Sequence, residues 1–186
     1  DGKAITTFEG HQGAVTAVAF SPDGQTILTG GSDQTAKTWT LGGQAVTTFE
    51  GSHSQVTSAV FSPDGKTILT ASESWDAILW ALDGQPIATL SGHQGRIASA
   101  VFSPNGKTIL TGSGDWTAKI WTPDGKLQKT LTGHQSALES VAFSPDGQFA
   151  LTGSLDGTAR TWPIGRELHC TYAGHQKGVS SVAFSS

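Results

Sequence analysis

Residues 15–31 read VTAVAFSPDGQTILTGG, and they decide the fold. Val15 to Phe20 is a run of β-branched and apolar residues, bounded by Gly13 before it and by Ser21, Pro22, Asp23 and Gly24 after it, which reads as a strand followed by a tight turn. Proline presets φ for one turn position and glycine accepts the positive φ that closes it. TILTG from Thr26 is a second strand, running to a short polar turn at Ser32 to Gln34. A third strand carries Trp39, and a Gly-rich turn at Gly42 and Gly43 leads to a fourth, AVTTF, ending at Phe49. The unit is a four-stranded antiparallel meander.

That unit repeats. Phe20, Phe61, Phe102, Phe143 and Phe184 end the same apolar run at a step of 41 residues, and Trp39, Trp80, Trp121 and Trp162 keep the step. FSPDG or FSPNG recurs at Phe61, Phe102 and Phe143. No window of helical length keeps an i, i+3, i+4, i+7 apolar stripe without Gly or Pro breaking it, so the fold is all-β. A sheet with two apolar faces must stack on another, and at a period near 40 the stacking is radial: a β-propeller of four-stranded antiparallel blades. The expected blades span 11–49, 52–90, 93–131 and 134–172, with lone strands near 4–8 and 179–184, about four and a half repeats. An open arc would expose sheet edges and an apolar blade face at each end. The ring is therefore expected to be completed by further blades of a longer chain or by self-association.

Composition narrows the function. Only 14% of residues are charged and the formal net charge is −4, so no basic field exists for nucleic acid or an anionic membrane. No apolar stretch is long enough to span a bilayer, and the N-terminus lacks a charged-then-apolar signal segment. Cys170 is the single cysteine, and Asn105, the single asparagine, is followed by Gly106 and Lys107 and forms no sequon. These features fit a reducing, cytoplasmic setting.

The phrases EGHQGAVTAVAFSPDG, ILTGGSDQTAKTW, SGHQGRIASAVFSPNG, LTGSGDWTAKIW, LTGHQSALESVAFSPDG and LTGSLDGTARTW resemble the Trp-Asp repeat (WD-repeat) propellers over essentially the whole chain. The Asp that follows Trp in the family is replaced by Thr40, Ala81, Thr122 and Pro163. The resemblance implies a hydrogen-bonded tetrad in each blade: His11, Thr29, Asp33 and Trp39 in the first, His93, Thr111, Asp115 and Trp121 in the third, His134, Thr152, Asp156 and Trp162 in the fourth. Buried indole and imidazole N–H groups need acceptors, and a carboxylate and a hydroxyl supply them. One His–Asp pair per blade offers no convergent three or four ligands, so no metal is expected. In the second blade Ser52 stands at the His position, with His53 shifted by one, and Ser74 at the Asp position. Trp80 is expected to bond Thr70 alone or water.

The resemblance also implies that partners bind the rim formed by the Gly-His loops and the turns after the second strands. One residue past the Asp position the chain reads Gln34, Trp75, Trp116 and Gly157, so two adjacent blades place a Trp in a short turn. Arg96 falls between them, and with Glu73 and Gln55 these residues form the expected partner-binding patch. A second reading has each Trp covering a neighbouring loop as a lid. His169 and Cys170 are adjacent on a strand, point to opposite faces and cannot chelate together. The inner strands offer Thr16, Thr57, Ser99, Glu139 and Ser180 but no clustered carboxylates or histidines, so neither a catalytic site nor a cofactor is expected. The expected function is a non-enzymatic protein-interaction scaffold. The alternative is a carbohydrate-binding propeller, which the occurrence of the extra Trp in only two units argues against.

Overall fold

A computed structural model describes residues 2–165 and 170–185. His169 lies outside them, while Cys170 is exposed. Among the described residues sixteen strands form four antiparallel meanders and no helix occurs. The first sheet holds β1 (Val15–Phe20), β2 (Thr26–Gly31), β3 (Thr35–Thr40) and β4 (Ala45–Glu50), in that order. The second holds β5 (Val56–Phe61), β6 (Thr67–Ser72), β7 (Ala77–Ala81) and β8 (Pro86–Leu90). The third holds β9 (Ile97–Phe102), β10 (Ile109–Ser113), β11 (Ala118–Trp121) and β12 (Leu127–Leu131). The fourth holds β13 (Leu138–Phe143), β14 (Phe149–Ser154), β15 (Thr158–Pro163) and β16 (Cys170–Ala173).

The first turn of each blade shows why the Ser-Pro-Asp-Gly phrase recurs. Asp23 accepts from the Ser21 hydroxyl at 2.6 Å and from the Gln25 N–H at 3.0 Å, while Ser21 Oγ accepts from the Thr26 N–H at 2.9 Å. Gly24 closes the loop with φ 69°, a conformation that side-chain-bearing residues resist. The register then pairs Phe20 with Ile27 and shifts between Val15 and Ala17, a bulge that recurs in the inner hairpins of the other blades.

The core lies between the sheets. Leu28 and Phe49 of the first blade bury against Val56, Ile68 and Trp80 of the second, and equivalent clusters join the second blade to the third and the third to the fourth. The inner strands β1, β5, β9 and β13 run side by side from blade to blade. Thr16 Oγ1 donates to the Val56 carbonyl at 2.5 Å, and Thr57 Oγ1 to the Ile97 carbonyl at 2.5 Å. Gly30 permits this approach, because a Cβ there would meet Val56 Cγ1 at 2.6 Å. A blade thus depends on its neighbour for the surface it buries.

Two departures follow from that dependence. Residues 4–8 and 179–184, expected as lone strands, form no ladder, since a strand is held by a paired neighbour and neither has one. They still lie where a neighbouring blade would: Phe8 packs edge-on against Trp39 as Phe49 does against Trp80, and the Val179 N–H donates to the Ser154 carbonyl at 2.8 Å. The second departure is the inner strand of the first blade. Val18 is 73% exposed and Phe20 68%, whereas Val141, at the Val18 position of the fourth blade, is 4% exposed. The residues are alike; among the described residues no sheet lies before the first blade to cover them.

Candidate functional site

Antiparallel connection puts the Gly-His loops and the turns after β2, β6, β10 and β14 at one end of the blades. Each tetrad lies just beneath this rim. In the first blade His11 Nδ1 lies 2.9 Å from Asp33 Oδ2, His11 Nε2 lies 2.7 Å from Thr29 Oγ1, and Trp39 Nε1 donates to Thr29 Oγ1 at 2.8 Å. The third blade repeats these contacts at 2.7, 2.7 and 2.9 Å through His93, Asp115, Thr111 and Trp121. The fourth does so at 2.8, 2.7 and 2.9 Å through His134, Asp156, Thr152 and Trp162.

Donor and acceptor counting fixes the direction of this relay. A carboxylate only accepts, so the facing Nδ1 carries the proton; in a neutral ring Nε2 then accepts from the threonine hydroxyl, which itself accepts from the indole. Burial drives the His93 and His134 pKa values below normal, outweighing the opposite pull of Asp115 and Asp156. Neutral rings complete every bond. The carboxylates go the other way: burial would raise Asp33, but the Gln12 N–H at 2.8 Å, His11 and Thr35 hold it at about 2. The Thr117 hydroxyl, the Gln94 N–H and His93 likewise hold Asp115 at about 2 against the pull of burial. The polar atoms of these relays are occupied by one another.

The second blade has no relay. Trp80 Nε1 donates to Thr70 Oγ1 at 2.8 Å, Ser74 turns back to Ser72 at 2.7 Å, Ser52 is buried and His53 is exposed. Losing the imidazole and carboxylate together avoids stranding either one.

The rim residues are brought together only in part. Trp75 and Trp116 are half exposed, at 52% and 53%. Their φ values are 77° and 71°, in the left-handed region where the aligned Gln34 and Gly157 also lie. For a bulky residue this conformation costs about 1–2 kcal/mol. The Glu73 N–H donates to the Gln55 carbonyl at 3.1 Å, joining those two loops. The Arg96 carbonyl accepts from the Gly114 N–H at 2.8 Å, which seats Arg96 against the turn bearing Trp116. Its guanidinium does not point freely outward: Arg96 Nη2 pairs with Glu139 Oε1 of β13 at 2.5 Å. No ring stacking, ion pair or hydrogen bond links Trp75 to Arg96 or to Trp116 among the described residues. The left-handed turn was readable from Gly157 at the aligned position; the Glu139 pairing had no local signal.

No group of three or more His, Cys, Asp or Glu able to hold a metal occurs among the described residues. Nor, among them, is any helix long and apolar enough to cross a membrane.

Comparison with known proteins agrees with this geometry. The family model described as "WD domain, G-beta repeat" matches four times, at residues 2–40, 43–80, 84–122 and 125–163. The chain is also similar to eukaryotic translation initiation factor 3 subunit I of Phaeosphaeria nodorum, 42% identical over 41 residues. That match spans 22% of this chain and 12% of the relative.

Proposed function

Because this chain belongs to the WD-repeat family, we propose that it is a non-enzymatic protein-interaction scaffold whose partner seats on the rim around Trp75, Arg96 and Trp116, with Glu73 and Gln55 at the edge. The observation that carries the reading is the pair of half-exposed tryptophans held at positive φ in adjacent blades. Exposed indoles contribute strongly when covered by a partner, and backbone strain is retained where it serves a function. The filled tetrads support a structural role for the His and Asp residues and leave binding to the rim above them. The similarity to an initiation factor subunit, short as it is, supports membership of a protein complex and a cytoplasmic location.

The uncovered face of β1 supports a second part of the reading. Val15, Val18 and Phe20 are to be covered by another blade of the same design, from a longer chain or from a second copy. Molar mass in solution separates these cases: a sharp dimer supports self-association, and a monomer that becomes stable only with added repeats supports the longer chain.

The rim is tested with Trp75→Gly and Trp116→Gly together, because Gly157 already occupies this position in the fourth blade. Proteins captured by wild type and variant are to be quantified side by side. Loss of at least tenfold in capture, with melting no lower than in the wild type, supports the rim; unchanged capture removes it.

A further inference from the structure

We propose that the groove between the second and third blades, on the face opposite the tryptophan rim, docks an extended peptide segment of a partner protein that inserts a bulky apolar side chain and carries a basic residue beside it. The groove lies between the turns at Pro63 and Pro104 and encloses about 680 Å³. This falls within the roughly 300–1,000 Å³ typical of ligand sites. The equivalent groove between the first and second blades encloses about 260 Å³.

The repeat itself explains the difference. In the smaller groove Thr47 Oγ1 donates to the Leu82 carbonyl at 3.0 Å and ties the two blades together, over a floor that includes Thr38. One blade on, the aligned residues are Ala88, Pro123 and Leu79. Ala88 has no hydroxyl to make the tie, Pro123 is smaller than Leu82, and Leu79 replaces a polar floor with an apolar one. Ile87, 51% exposed, and Phe102 wall the space. Three substitutions at aligned positions thus change the same groove in one direction, toward a wider and more apolar cleft.

Charge selects the occupant. The charged residues lining the groove are Asp64 and Asp124, both acidic. Asp64 accepts through Oδ1 from the Ser62 hydroxyl and the Lys66 N–H, both within its own turn, and keeps its negative charge. Asp124 meets the largely exposed Lys126 at 2.7 Å. An apolar side chain flanked by arginine or lysine matches this lining, and an acidic neighbour is repelled.

The test is titration of the full-length protein with acetyl-Arg-Leu-Leu-Arg-amide, followed by backbone amide shifts. Saturable shifts at Thr67, Ile87 and Gly106 are expected, with at least tenfold weaker binding of acetyl-Arg-Ala-Ala-Arg-amide and of acetyl-Glu-Leu-Leu-Glu-amide. Ala88→Thr with Pro123→Leu rebuilds the narrow groove and should weaken binding at least tenfold. Ile87→Gln, the residue found at the aligned Gln128, is a second variant should the first fail to fold, and should act likewise. Trp75→Gly with Trp116→Gly should leave this binding intact, which keeps the groove distinct from the rim. Equal binding of the three peptides, shifts at the rim, or n-octylamine binding as tightly as the peptide would each overturn the proposal.

Discussion

Arg96 of the third blade and Glu139 of the fourth form the ion pair that joins these blades where the threonine tie is missing. Thr16 and Thr57 each donate to a carbonyl of the next blade, but the aligned residue on β9 is Ala98. The partly exposed ion pair takes over that link.

Arg96→Ala should therefore destabilise the protein by about 0.5–1 kcal/mol, the range of a partly exposed pair, with the loss shrinking at high salt. Ala98→Thr should restore about 1 kcal/mol by renewing the tie to the Leu138 carbonyl. A double-mutant cycle on denaturant midpoints reads both effects.

Restoring the missing relay should strengthen the second blade. Ser52→His with Ser74→Asp supplies the imidazole and carboxylate found in the other three blades, and a gain of about 1–3 kcal/mol is expected for the pair. Ser52→His alone should gain nothing, because Nδ1 would face Ser74 rather than a carboxylate. Thermal melting of the single and double variants decides.

The reverse change in an intact relay should be costly. Asp115→Asn keeps the shape but sets an amide against His93 Nδ1, the Gln94 N–H and the Thr117 hydroxyl, and a loss of about 1–3 kcal/mol is expected. Urea midpoints at neutral pH check the value.

Acid should lower the stability of the protein in two stages. His93 and His134 have folded pKa values below the ordinary 6.5, so the unfolded chain takes up protons first. The stability they contribute is present above about pH 6.5 and is lost as pH falls below it. Asp33 and Asp115 are held at about 2 against an ordinary 3.8, so their contribution is lost only as pH falls through that lower window. Melting temperatures across pH 2–8 should show a plateau near neutrality and two declines. Replacing His93 by Gln should shrink the upper one.

Trp116→Gly should stabilise the isolated protein by about 1 kcal/mol, by relieving the left-handed backbone at φ 71°. A stabilising change that removes a partner contact would separate binding from folding in one variant, readable by calorimetry.

Much of this molecule is written locally. The strand runs, the Ser-Pro-Asp-Gly turns and the 41-residue step suffice for four meanders, because alternation, proline φ and glycine turns act within a few residues of one another. The tetrads were implied by the resemblance to the WD-repeat family, matched residue by residue, and the hydrogen bonds of three blades join those residues. Tertiary structure alone decided the exposure of Val18, the pairing of Arg96 with Glu139 and the widening of one groove to about 680 Å³. The ion pair and the groove depend on how one sheet stands against the next, which residues a full 41-residue step or more apart decide together, and Val18 depends on whether a sheet lies beside it; no local preference encodes either.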